Sequence, residues 1–238
     1  MDKRVVLITG ASRGIGAEAA RQIAAGGSHV VLNYREKRKR AQAIADEITA
    51  AGGSADVVGA DVTDTVAVEA MLDQIGKLDV LVLNASGGLE LGAGPDYAMS
   101  INRDAQVRLV DLALPKLVDG GRIVFVTSHQ AHFHGRKPVP ADYEPIAASK
   151  RAGEDALRAR LPELAERGIT LVVVSGDMIE GTIIVRLLER RNPGAVDARR
   201  EHGDLPTVEE FAVAIADAVN SPVESGHTVY VGGGDYLN

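Results

Sequence analysis

The chain has 238 residues, 45% of them hydrophobic, a net charge of −7 and no cysteine. That size suits one sizeable globular domain, the missing thiols exclude disulfides and thiolate chemistry, and the acidic balance argues against nucleic acid or an anionic membrane as partner. Met1-Asp2-Lys3-Arg4 runs straight into a strand and no apolar stretch reaches the roughly 18 residues that span a bilayer, so no leader and a cytoplasmic location are expected.

Runs rich in Val, Ile and Leu predict strands at 4–9, 29–34, 55–60, 78–83, 121–127, 169–174 and 227–232. They are apolar nearly throughout, as strands buried on both faces are. Helical stretches are predicted between them at 14–26, 36–51, 64–76, 96–118, 145–167 and 207–220. Gly52-Gly53, Gly120-Gly121 and Gly168 fall where helices should end. Segments 129–142, with Pro138 and Pro140, and 176–206 read as irregular. This alternation makes βαβ units, and hence an α/β domain: a doubly wound parallel sheet of about seven strands with helices on both faces. Ligands bind such sheets at the carboxyl ends of the strands, and both irregular segments follow a strand.

The motif Thr9-Gly10-Ala11-Ser12-Arg13-Gly14-Ile15-Gly16 joins the first strand to the first helix. Gly10 permits a sharp turn, Gly14 a close backbone approach to a ligand, and Gly16 tight packing of helix on sheet. The helix N-terminus then offers unpaired N–H groups to a pyrophosphate, which predicts a dinucleotide. Gly10, Ser12, Arg13, Gly14, Ile15 and Gly16 are the expected contacts. An acidic residue near the end of the second strand would select NAD; Leu32-Asn33-Tyr34-Arg35 has none there. Arg13 and Arg35 are guanidinium groups suited to a 2′-phosphate, so NADP is expected rather than NAD. Lys37 to Arg40 read as a solvated helix start. Asp61-Val62, ending the third strand, is placed against the adenine, and Asn84-Ala85, ending the fourth, beside the cofactor ribose.

These residues resemble the short-chain dehydrogenase/reductase family over essentially the whole chain, which implies a single-domain Rossmann-type fold. The glycine pattern matches at Thr9, Gly10, Gly14 and Gly16. The stretch Asn84-Ala85-Ser86-Gly87 is an imperfect match to the family's Asn-Asn-Ala-Gly. Asn102, Ser128 and Lys150 match a helix-borne Asn, the active Ser after the fifth strand and the active Lys. The resemblance implies that Lys150 holds the cofactor ribose, that Ser128 orients the substrate oxygen, and that Asn102 steadies its helix and helps hold a relay water. It also implies a homo-oligomer, dimer or tetramer, with the Asn102 and Lys150 helices against a second subunit, and the face at Val107, Val110, Asp111 and Leu114 fits this only in part.

The family's tyrosine stands four residues before the lysine, but position 146 is Ile. Tyr143 stands seven before instead. Along a helix seven residues return to within about 20° of the same face and rise about 10 Å, so the phenol can still serve as donor. Pro145 favours a first helical turn, which puts Tyr143 just ahead of the helix. This Tyr-x6-Lys spacing resembles the enoyl-acyl-carrier-protein reductase branch, and Val174-Ser175-Gly176 resembles one subgroup of it, adding Ser175 and Gly176 to the expected cofactor contacts. The Ser128–Lys150 interval is longer than the resemblance implies. Gly232-Gly233-Gly234 replaces the family's Asp-Gly-Gly.

An NADP(H)-dependent reductase of a carbonyl-conjugated small molecule, possibly an enoyl thioester, is therefore expected. A conventional keto/alcohol oxidoreductase is the alternative, and a catalytically silent dinucleotide-binding protein a third. No metal site is expected: His129, His132 and His134 have no carboxylate cluster beside them, and a substrate-lining role is the alternative for them. Residues 177–182 and 183–205 should complete the substrate wall, with Glu180 a solvated loop carboxylate.

Overall fold

The structure, a computed structural model, describes residues 3–89, 94 and 96–237. Strands β1 (Val5–Ile8), β2 (His29–Tyr34), β3 (Ser54–Gly59), β4 (Leu78–Leu83), β5 (Leu117–Ser128), β6 (Thr170–Gly176) and β7 (His227–Val231) form one sheet. All its pairs are parallel, in the order β3-β2-β1-β4-β5-β6-β7. The order reverses between β1 and β4, which opens a crevice at their carboxyl ends.

Side chains alternate across the sheet, and both faces are apolar. Val6, Ile8, Val30, Leu32, Val124 and Val172 face one core, covered by helices α1 (Gly14–Ala25), α2 (Arg38–Ala50) and α11 (Val208–Asn220). Leu7, Val31, Leu81, Ile123, Phe125 and Leu171 face the other, under α3 (Thr65–Ile75), α5 (Ala105–Ala113), α7 (Glu144–Arg158) and α8 (Leu161–Glu166). Two buried faces explain why the strand runs read as continuously apolar.

Several expected elements differ. The helix expected over 96–118 is a short turn α4 (Tyr97–Met99), a π-helical turn Ser100–Asp104, then α5. β5 already begins at Leu117; its register against β4 shifts between Leu78 and Val80, and Gly120, at φ +73°, lies inside the strand rather than ending a helix. The helix expected over 145–167 breaks after Arg158, because Pro162 has no N–H and its ring clashes with the carbonyl four residues earlier. The irregular segments hold helices α6 (His129–His132), α9 (Ile183–Arg191) and α10 (Ala195–Arg200). Of the face at Val107, Val110, Asp111 and Leu114, Val110 is fully buried in the second core and Leu114 packs on it, while Asp111 is exposed.

α7 crosses the π-helical turn at Gly153, where a Cβ would collide with the Asn102 carbonyl. Gly153→Ala should therefore destabilise the protein by roughly 1–3 kcal/mol, although Ala is the better helix former. Urea unfolding checks this; a variant more stable than wild type would show that the two helices can move apart freely.

Candidate active site

The glycine loop is fixed to the neighbouring strands before any ligand arrives. The buried Thr9 hydroxyl accepts from Asn84 N and Ala85 N, both at 3.0 Å. The Asn84 side chain donates to Thr9 O at 2.9 Å. Gly10 takes φ +67° and Gly14 φ +54°, a region that favours glycine. At Gly16 a Cβ would lie 2.5 Å from the Asn84 amide nitrogen and 2.8 Å from Gly10 O, so only glycine lets α1 sit this close. Arg13 precedes α1 without a side-chain cap, and the first N–H groups of the helix stay available at the cavity wall.

A single cavity of about 760 Å³ runs from this loop across the carboxyl ends of the strands. It is lined by Gly10, Ser12, Arg13, Gly14, Ile15, Gly16, Asn33, Arg35, Asp61, Val62, Asn84, Ala85 and Ser86, and further along by Ser128, Tyr143 and Lys150. Asn33 is held inside the protein, its amide accepting from Gly10 N at 3.3 Å and donating to Ala60 O at 3.0 Å. It therefore shapes the loop. Asp61 Oδ1 accepts from the backbone and hydroxyl of Thr63, at 2.9 and 2.7 Å. Arg35 is exposed and donates to the Tyr97 hydroxyl at 2.9 Å. Lys37 and Arg40 also line this end and are exposed, as a solvated helix start would be.

Three expected site residues lie outside the cavity wall. Ser175 is fully buried and its hydroxyl lies 2.8 Å from Nδ1 of His129. The space beside Gly176 is filled by the Phe211 ring. Both therefore stand behind the wall, because β6 runs two residues further than expected and carries them into the sheet. Asn102 is also buried; its amide accepts from Gly87 N at 3.2 Å and donates to Gly87 O at 2.9 Å and Ser149 Oγ at 3.0 Å. It joins the loop after β4 to α7 and positions the site without touching the cavity.

At the far end, Tyr143 is the residue immediately before α7, with Pro145 in the first turn. Its side chain is 4% exposed and its hydroxyl lies 3.3 Å from Ser128 Oγ. Burial pushes the phenol pKa up, opposed by the Ser128 hydrogen bond. Burial lowers the Lys150 ammonium from 10.5 to about 8, and its Nζ has no hydrogen-bond or ion-pair partner among the described residues.

Aliphatic side chains also line this end: Leu89, Ile184 and Leu187 pack in one cluster with Tyr143, and Met178, Ile183 and Leu188 join Ile184 and Leu187 from the segment after β6. Glu180 points elsewhere and pairs with Arg200 at 2.5 Å. The three histidines do not line the cavity; His132 and His134 pair with Glu154 and Glu144, and no cluster suited to a metal ion occurs among the described residues. Sequence reasoning missed Tyr97 and Gln130, which do line it. The signal for Tyr97 was its rarity, one of five tyrosines in an aromatic-poor chain.

No described helix is long and apolar enough to cross a membrane. Residues 4–192 match the family model described as short chain dehydrogenase. An uncharacterised oxidoreductase of Methylorubrum extorquens is 35% identical over 195 residues, covering 76% of each chain. A 1-cyclohexenylcarbonyl-CoA reductase of Streptomyces collinus is 34% identical over 188 residues, 75% of this chain and 65% of that protein. Among solved structures, a blue fluorescent protein from a metagenomic library, in complex with NADPH, superposes with a TM-score of 0.81 at 30% identity over 98% of each chain.

The Lys150 shift has a stability consequence. The unfolded chain keeps the ammonium up to about pH 10.5, whereas the folded protein loses it near 8. The cost of burying the charge is fully present below about pH 8 and fades as pH rises to about 10.5. Urea unfolding should show wild type gaining stability relative to Lys150→Met across that window. A difference independent of pH would mean that Lys150 titrates like a surface lysine.

Proposed function

The chain belongs to the short-chain dehydrogenase family and is an NAD(P)-dependent oxidoreductase, and within that class we propose that it uses NADP(H) to reduce a carbonyl-conjugated substrate of the enoyl-thioester kind, with Tyr143 as proton donor. The observation that carries this reading is the buried Tyr143 hydroxyl, 3.3 Å from Ser128 Oγ on the wall of the cavity that also holds Lys150. The residues present suit a dinucleotide: a glycine cradle in which a Cβ at position 16 has no room, an uncapped helix N-terminus, and Arg13 and Arg35 where a 2′-phosphate needs cations. NADPH, when bound, supplies the hydride.

The protein's share is to orient and to protonate. Burial keeps Tyr143 a neutral phenol at rest, so its proton is in place to be given. Ser128 and Tyr143 converge, and a carbonyl oxygen between their hydroxyls meets two donors as negative charge grows on it. In a conjugated thioester that charge develops on the carbonyl oxygen while the β-carbon is reduced. Lys150, mostly ammonium at neutral pH and without a partner among the described residues, is placed to hold ribose hydroxyls and to favour loss of the phenol proton once the cavity is filled. The aliphatic wall suits an apolar acyl group. The 34% identical relative named as a 1-cyclohexenylcarbonyl-CoA reductase is consistent with a thioester substrate. A homo-oligomer is part of this reading by family likeness.

Turnover of a crotonyl thioester and of a ketone panel, followed by NADPH absorbance, tests it. Tyr143→Phe should lower kcat on the thioester by roughly 10²–10⁴-fold with NADPH binding kept. Turnover of ketones alone would favour a conventional carbonyl reductase. An undiminished rate in the variant would remove Tyr143 from the chemistry, and NADPH binding without turnover of any substrate would leave a dinucleotide-binding protein.

A further inference from the structure

The cofactor end of the cavity contains an unresolved competition for one cation. Arg35, which leaves the end of β2, is exposed, and an exposed arginine gives up considerable rotamer freedom when it is fixed. Two groups lie within 4 Å of it, and the Asp61 carboxylate acts on it from further off. The Tyr97 hydroxyl accepts from its Nη1 at 2.9 Å, and the Glu36 carboxylate lies 3.5 Å from its Nε. These two pull in opposite functional directions. A phosphate needs the free edge of the guanidinium fork, and a carboxylate on that fork both occupies it and repels the phosphate.

Tyr97 is the fixed partner of the two. Its ring is half-buried against a small cluster made by Val62 at the end of β3 and by Ile101 and Ala105 around the π-helical turn, beside Ala85 after β4. Glu36 is exposed, on the turn between β2 and α2. Tyr97, Arg35 and Glu36 all line the cavity. The hydroxyl takes one of five guanidinium donors, keeps the carboxylate at a long contact, and leaves the remaining edge for a ligand.

We propose that Tyr97 is a positioning residue that sets the preference for a 2′-phosphorylated cofactor, by holding Arg35 on a rigid ring and away from a closer pair with Glu36. This rests on the reading of Arg35 as a 2′-phosphate ligand. Without the hydroxyl, Arg35 relaxes toward Glu36; affinity for the phosphate falls, and affinity for the unphosphorylated ribose does not.

The probes are 2′,5′-ADP and 5′-AMP, which carry the adenosine end with and without that phosphate, together with NADPH and NADH, their dissociation constants measured by calorimetry. Tyr97→Phe keeps the ring in its packing. It should weaken 2′,5′-ADP and NADPH about five- to tenfold and leave 5′-AMP and NADH unchanged, as the loss of one ordinary, partly exposed hydrogen bond implies. In an Arg35→Ala background the same substitution should have no further effect. Glu36→Gln added to Tyr97→Phe should recover most of the lost affinity, a rescue that a purely structural role for the ring does not produce. Arg35→Ala with undiminished 2′,5′-ADP binding would defeat the reading of Arg35 as a 2′-phosphate ligand, and the inference with it. If Arg35→Ala weakens binding but Tyr97→Phe does not, or weakens all four probes equally, the inference about Tyr97 fails and the Arg35 assignment survives.

Discussion

The arrangement of the site depends on one buried amide. Asn102 sits in a π-helical turn with 1% of its surface exposed, and a buried amide without partners is costly. Its partners are both backbone groups of Gly87 and the hydroxyl of Ser149, which in turn donates to Ile146 O at 3.0 Å. The loop after β4 and the first turns of α7 are thereby drawn to a common point. The wider π turn is what carries the amide to both at once. Gly153 lets the helix approach closely enough for these bonds to form. Lys150 adjoins Ser149, and Tyr143 opens the same helix, so the placement of both follows from this contact.

The seven-residue spacing between Tyr143 and Lys150 fits this geometry. A residue just before a helix and one two turns along it lie on nearly the same face, so both reach one cavity from a single rigid element. Their acidities move in complementary ways. Burial makes the phenolate harder to form and the ammonium easier to lose, so each charged state is disfavoured in the same cavity. The Ser128 hydroxyl opposes the first shift through its hydrogen bond.

The sheet and the glycine loop were legible in the sequence because each rests on a local signal. Strands buried on both faces are apolar throughout, and the glycines at 10 and 16 each answer one steric demand. Boundaries failed where a tertiary contact overrode the local pattern. The helix expected from 96 gives way to a π turn where Asn102 is bonded across to α7, and Gly120 lies inside a strand although its sequence resembles a helix stop. The helix expected to 167 is different, since Pro162 announces the break and the periodic pattern around it masked the signal. Ser175 and Gly176 were misplaced because sequence position at a strand end does not reveal which way a side chain faces. His129 shows why its functional reading failed as well, since its role is set by Ser175 and Gly232, distant in the chain.

That histidine and its neighbour explain how the long interval between Ser128 and Lys150 is accommodated. Gly232 O can only accept, so the Nε2 of His129, 3.0 Å away, carries the proton, and Nδ1 then accepts from the Ser175 hydroxyl. Burial lowers the His129 pKa and favours the neutral ring that this pattern requires. His132 lies 2.9 Å from both oxygens of the fully buried Glu154 and 3.0 Å from the Tyr230 hydroxyl. Burial alone would raise the Glu154 pKa, but hydrogen bonds and charge from His132 and Arg158 outweigh it and hold the carboxylate ionised. Arg158 reaches on to Gly226 O and Thr228 Oγ1, both at 2.7 Å. A buried charge with this many partners is fixed in place, since releasing any one of them leaves the carboxylate under-compensated. The segment between Ser128 and Tyr143 is thus tied at its start to β6, α7 and the β7 end of the sheet, and at its finish Tyr143 enters the wall of the cavity. Held at both ends, it keeps the phenol 3.3 Å from Ser128 Oγ.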